Sequence, residues 1–252
     1  MNASYRASHE YAKWIDKLVQ AHISKELLDG QTAESYLQAN ARFITLTFDK
    51  RMINRRKSDL NDSSGVRADP RLLDINRLNA ENLSPEFFNV DRLYKTVCQA
   101  LLGTNWSRAG KRKQQPLMIA VADVNGTRYG RPTSNENLHM HSLWVCKTHQ
   151  IEAFDAAIER IKNDPRHALD FDEIDVAPIH NMAIKSNGAT RLSSYMAKFL
   201  GMNASEMAVG QDLAIYPRHS HEAFAQRNSS GCGGNDNHDP DHFRGSRNRL
   251  AG

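Results

Sequence analysis

The stretch Leu138-His139-Met140-His141-Ser142-Leu143-Trp144-Val145 restricts the fold more than any other part of the chain. It reads as a strand, and a strand sends alternate side chains to the same face. His139 and His141 then project together, with their side-chain bases roughly 7 Å apart. Leu138, Met140 and Trp144 point the other way and need an apolar layer to pack on. The arrangement therefore calls for a sheet with helices over one face and the histidines on its open face. Two neutral imidazoles held in this way can grip one divalent ion and leave coordination positions free for a substrate oxygen. A second pair of this spacing, His219-Ser220-His221, follows Pro217-Arg218 and runs into a polar tail, so it reads as a solvated loop.

The remaining elements supply the layers. Phe43-Ile44-Thr45-Leu46-Thr47-Phe48 alternates strictly, with Ile44, Leu46 and Phe48 on one face and Thr45 and Thr47 on the other. Further strands are expected over Leu117 to Val124 and Ile174 to Ile179. Helical spacing marks Glu10 to Leu28, Ala33 to Ala41, and Val90 to Leu101, the last with Asn89 as its expected cap and Gly103 as its stop. Thr148 is placed to cap a helix carrying Ile151, Phe154, Ile158 and Ile161. Arg191 to Met202 reads as a late helix with Tyr195 and Lys198 on one face. Residues 49–85 read as an irregular excursion with a turn of helix near Leu72 to Leu78. The order strand, helix, strand, strand, helix, strand, helix predicts an α+β fold. Its core is a central antiparallel sheet containing the His-x-His strand, with helices packed on the opposite face. Residues 1–40 are expected to be a helical N-terminal extension, 41–204 the functional domain, and 205–252 a polar, largely disordered tail.

The 252 residues suffice for one large domain with appended segments. No apolar run approaches the length of a membrane span, and the N-terminus lacks a signal-peptide layout. Cys98, Cys146 and Cys232 are odd in number and scattered, which points away from a disulfide framework and towards the cytoplasm. The net charge of +4 permits a nucleic-acid partner without demanding one. Two basic clusters suit phosphate contacts: Lys50-Arg51 with Arg55-Arg56-Lys57, and Arg108 with Lys111-Arg112-Lys113. Trp106 and Tyr129 lie in adjoining loops and could stack on bases. There is no glycine-rich phosphate loop with Lys and Ser/Thr, so an intrinsic helicase is not expected.

The strand Phe43–Phe48, then His139-Met140-His141, then Tyr195-Met196-Ala197-Lys198 resemble, in that order, the three motifs of HUH endonucleases. Within that superfamily the chain looks most like the single-tyrosine replication initiators (Rep proteins) of rolling-circle plasmids and phages. The resemblance covers about Ala41 to Gly201. It implies site-specific, metal-dependent nicking of single-stranded DNA, with a covalent 5′-phosphotyrosine link and a free 3′-hydroxyl that primes synthesis. Tyr195 would be the nucleophile, Lys198 its companion at the phosphate, and His139 and His141 ligands to Mn2+ or Mg2+. Family members usually add a third ligand from the strand before the His-x-His strand. Asp123 at the end of that strand is favoured, with Glu136 the alternative. The acid is Asp where Glu is frequent, and the connecting hairpin is long; both are departures from the family pattern. Single-stranded origin DNA would be contacted by Thr45, Thr47, Arg51, Arg55, Arg56, Lys111, Arg112 and Lys113, with host helicase and polymerase as partners.

The residue chemistry agrees with that expectation. A phenol holds its proton at neutral pH and is a weak nucleophile, so the phosphodiester must be activated by charge on its non-bridging oxygens. A phosphotyrosine bond also stores the energy needed to rejoin the strand. A transposase or a relaxase on the same fold is the nearest alternative, although relaxases usually carry a third histidine and an N-terminal tyrosine. A DNA-binding regulator that keeps the fold without cutting is the alternative of another class.

Overall fold

The computed structural model describes residues 3–61, 84–124, 138–163, 169–198, 200 and 213–217. It contains five strands: β1 (Ala41–Phe48), β2 (Leu117–Val124), β3 (Leu138–Val145), β4 (Phe171–Pro178) and β5 (Leu213–Tyr216). They form one antiparallel sheet in the order β4-β1-β3-β2-β5. The His-x-His segment is thus the central strand. His139 lies opposite Thr47 on one side and Asp123 on the other; His141 lies opposite Thr45 and Val121. Directly opposed residues share a face of the pleat, so register alone fixes the neighbours of each histidine.

The face away from the histidines packs on α4 (Pro85–Leu102) and α5 (Ile151–Asn163). Ile44, Leu46, Met118, Met140 and Trp144 of the sheet meet Phe87, Val90, Leu93, Tyr94 and Val97 of α4 and Phe154 and Ile158 of α5. Trp144 is fully buried between Tyr94 and Phe154, with ring centroids 5.7 and 5.2 Å away. Its indole N–H donates to Ser142 Oγ at 3.0 Å, so no polar group is stranded there. Burying each such large side chain contributes about 1.5–3 kcal/mol.

The histidine face is not bare, contrary to the expectation of an open side. The helix α1 (Ala3–Ile23) presents Ala12, Ile15, Val19 and Ile23 at helical spacing. It packs with α2 (Ala33–Asn40) and α6 (Arg191–Met196) over Leu117, Ile119, Val121, Leu143 and Val145. Of the expected N-terminal extension, α1 and α2 are helical, and they share a core with the sheet. The physical reason is visible in β2, where Leu117-Met118-Ile119-Ala120-Val121-Ala122 is apolar at every position. Such a run is stable only with both sheet faces covered. Among the described residues, no helix is long and apolar enough to cross a membrane.

Several local expectations need correction. Ser84 caps α4, its hydroxyl accepting from Phe87 N, and Pro85 occupies the first helical position. Asn89, the expected cap, is buried inside that helix and exchanges two 3.1 Å hydrogen bonds with Asp170. A helix, α3 (Lys50–Asn61), follows β1 where irregular chain was expected; Asp49 Oδ1 accepts from Arg51 N at 2.8 Å to start it. Thr148 sits in a short 3-10 turn ahead of α5 and does not cap it. The late helix stops at Met196, six residues before the expected end. The segment read as a polar, largely disordered tail contributes β5, all four residues of which are buried against β2. Residues 72–78 lie outside the described residues.

Candidate metal centre and tyrosine site

Asp123, His139 and His141 converge at the end of the sheet where β2 leaves the core and β3 enters it. Pairing puts Asp123 beside His139, and the two-residue repeat of β3 brings His141 onto the same face. One carboxylate oxygen, Asp123 Oδ2, is the common focus. It lies 3.1 Å from His141 Nε2, 3.5 Å from His139 Nε2 and 2.5 Å from Lys198 Nζ. One donor atom from each of Asp123, His139 and His141 falls within 4.8 Å of the others.

Burial alone would push the Asp123 carboxyl upward. Hydrogen bonds from His139, His141 and Lys198, with the Lys198 charge, overcome that and hold it well below the usual carboxylate range. His141 is only 3 % exposed, and burial lowers its pKa against the opposing pull of Asp123. The pair therefore offers what a divalent cation requires, an ionised carboxylate and a neutral imidazole. Two nitrogens and one oxygen on one side of a prospective ion form an open, three-point donor set. Thr47, opposite His139 on the same face, has a buried hydroxyl with no hydrogen-bond partner and stands outside this three-residue donor set. The residues fit a divalent metal.

The Tyr195 side of the site is built by α6. Thr190 caps this helix, its hydroxyl accepting from Ser193 N at 3.2 Å. The Tyr195 ring lies 4.9 Å from the His141 ring and 5.9 Å from Phe43, which itself sits 5.2 Å from His141. Tyr195 remains 45 % exposed. The helix has ended by Lys198, whose ammonium folds back over the Tyr195 ring at 4.4 Å while bonded to Asp123. Lys198 thereby ties the tyrosine segment to the metal-capable triad.

No family model, curated protein or solved structure matches this chain.

The structure brings Asp123, His139, His141, Tyr195, Lys198, Thr45 and Thr47 to one region of one face. Glu136, Tyr129, His219 and His221 lie outside the described residues. Arg51 and Arg55 are exposed on α3, which leaves β1 at the same end of the sheet, and Arg56 belongs to that helix. Lys111, Arg112 and Lys113 occupy a 3-10 turn before Leu117, at the opposite end of β2 from Asp123, roughly 20 Å away along the strand. Trp106 is half-buried against the helix-side core and meets Tyr94 edge-on at 6.3 Å, so it is a packing residue.

Three features had not been anticipated. Glu173 and Asp175 on β4 pair with Thr47 and Thr45, so they project from the histidine face, where both are exposed. Their charge opposes a phosphate approaching over that edge. Phe43 packs beside both His141 and Tyr195, a position that the alternation of β1 already implied. Asp16 of α1 accepts from Thr190 N at 2.8 Å and from Thr190 Oγ1 at 2.7 Å, anchoring the start of the tyrosine helix. No local pattern marks that contact.

Proposed function

We propose that this chain is an HUH-type, single-tyrosine replication initiator. It would nick and rejoin single-stranded DNA through a 5′-phosphotyrosine bond, starting rolling-circle replication of a plasmid or phage. The observation carrying this reading is the company of Tyr195: its ring is 4.9 Å from His141, inside a cluster with Asp123, His139 and Lys198. Two imidazoles and a carboxylate serve many metals, including non-haem iron(II). An exposed tyrosine paired with a lysine beside them favours phosphoryl transfer.

A divalent cation held by Asp123, His139 and His141 would supply positive charge opposite the non-bridging oxygens of a phosphodiester. The mixed nitrogen and oxygen donors suit Mn2+ better than Mg2+, which prefers oxygen. The phenol oxygen of Tyr195 forms a bond to phosphorus as the bond from phosphorus to the 3′-oxygen breaks. The phenol gives up its proton and the leaving oxygen gains one, producing a 3′-hydroxyl. Reversing the same exchange rejoins the strand. Lys198 contributes a charge beside the phenol ring, within reach of the incoming phosphate. Burial of Asp123 and His141 excludes water from the inner side of the site, while the exposure of Tyr195 leaves it reachable from outside. Arg51 and Arg55 supply charge at the same end of the sheet.

The test uses end-labelled single-stranded oligonucleotides tiled over the replicon's origin, run on denaturing gels. A nick at one site that requires Mn2+ or Mg2+ and is lost in His139→Ala with His141→Ala is the expected result. Metal-independent cutting, or binding without any cutting, would reject it in favour of contamination or a non-cutting regulator.

A further inference from the structure

His141 is buried, and both of its ring nitrogens are engaged. Nε2 lies 3.1 Å from Asp123 Oδ2, and Nδ1 lies 3.2 Å from Thr45 Oγ1. A neutral imidazole carries a single N–H, so one nitrogen donates and the other offers a lone pair. The nitrogen that faces Asp123 and His139 is the one placed to coordinate. Its lone pair is free for that only when the proton resides on Nδ1, and a buried Nδ1–H needs an acceptor. The ring is further hemmed in by Phe43 and Tyr195, which limits its rotation.

We infer that Thr45 is a positioning residue for the metal centre: its hydroxyl donates to Nδ1 while the Nε2–H of His141 bonds Asp123, and turns to accept an Nδ1–H when Nε2 is presented to a cation. This rests on the reading of Asp123, His139 and His141 as metal ligands, and it reassigns Thr45 from a DNA contact to a partner of the metal-binding ring. Groups bonded to the far nitrogen of a ligating histidine fix its tautomer and orientation, and their loss typically lowers metal affinity about 10–100-fold. The neighbouring strand position supplies a control. Thr47 is on the same strand and face, opposite His139, yet its buried hydroxyl has no partner. Its removal therefore takes away no bond to a ligand.

The experiment titrates MnCl2 into the full chain by calorimetry, for the wild type, Thr45→Val, Thr45→Ser and Thr47→Val. Thr45→Val preserves shape and removes the acceptor, so Mn2+ binding should weaken about 10–100-fold. Thr45→Ser should restore it, and Thr47→Val should match the wild type. Ring nitrogen NMR on the protein loaded with Zn2+ should show His141 protonated at Nδ1 and coordinated through Nε2. Equal Mn2+ affinity in wild type and Thr45→Val, or coordination through Nδ1, would overturn this role alone. An inability of the wild type to bind Mn2+ would overturn the metal reading and this inference with it.

Discussion

Replacing Asp16 with alanine should loosen the tyrosine helix without disturbing the metal ligands. The two carboxylate oxygens of Asp16 hold the backbone N–H and hydroxyl of Thr190 at 2.8 and 2.7 Å, and Thr190 caps α6. Hydrogen bonds to charged groups contribute about 1.5–3 kcal/mol each. Asp16 is only half-buried, so solvent offsets part of this, and about 2 kcal/mol for the pair is the working magnitude. The six residues of α6 are too few to persist as an isolated helix, so its order depends on this anchor and on the packing of Met196. An opening made about 2 kcal/mol easier is populated about 30-fold more. Hydrogen exchange reads this directly. The amides of Ser194 and Ala197, which bond to Thr190 O and Ser193 O, should exchange about 30-fold faster in Asp16→Ala. Those of Val97 and Cys98 in α4 should be unchanged. Mn2+ affinity should also hold, while the rate of covalent DNA attachment falls. Unaltered exchange in α6, or acceleration spread evenly over the molecule, would refute the idea that α1 orders the tyrosine segment.

Lys198→Met removes the ammonium 2.5 Å from Asp123 Oδ2. At water-like screening, a divalent and a single charge about 5 Å apart repel by about 1.7 kcal/mol, so calorimetry should show Mn2+ binding tightened about 20-fold. DNA cleavage by this variant should slow without stopping. Asp123→Asn should cost more Mn2+ affinity than Glu136→Gln; the reverse order would assign the third ligand to Glu136. His22 is held down to about 4, chiefly by burial, with Glu26 raising it and Lys147 lowering it. Below about pH 6.5 the unfolded chain takes up a proton that the folded protein refuses, so stability should fall by about 3 kcal/mol as pH drops towards 4. In urea unfolding at a series of pH values, His22→Gln should flatten that part of the profile, and an unchanged slope would contradict it.

Much of this architecture was legible in the sequence because strands carry a two-residue code. The alternation of Phe43–Phe48 and Leu138–Val145 assigned Ile44, Leu46, Met140 and Trp144 to the helix-covered side and the histidines and threonines to the other. The stop at Gly103, whose φ is 81°, was equally readable, because a glycine tolerates that left-handed backbone. The covering of the histidine face was also encoded, in the uninterrupted apolar run Leu117–Ala122 and the stripe Ala12, Ile15, Val19 and Ile23. Those two signals make sense only when joined, and their partnership spans about a hundred residues of chain. The strand Leu213–Tyr216 is four residues long within a polar region, too short for periodicity to rise above its surroundings. Contacts such as Asp16 with Thr190, or Lys198 with Asp123, are set by tertiary packing and leave no local trace. The acidic pair Glu173 and Asp175 could be read as strand residues, but their side of the sheet follows only from the register with β1.

The central claim, that Tyr195 attacks DNA beside a metal held by His139, His141 and Asp123, is tested most directly by locating the covalent bond. The full chain is incubated with single-stranded origin DNA and Mn2+, digested with a protease and a nuclease, and analysed by mass spectrometry. Tyr36, Tyr94 and Tyr216 are almost wholly buried, at 2 %, 2 % and 3 % exposure, whereas Tyr195 is 45 % exposed. The expected result is a nucleotide adduct on the peptide containing Tyr195. It should be absent from Tyr195→Phe, although that variant still binds Mn2+ and DNA. An adduct on any other tyrosine, or none with any strand of the replicon, would contradict the claim.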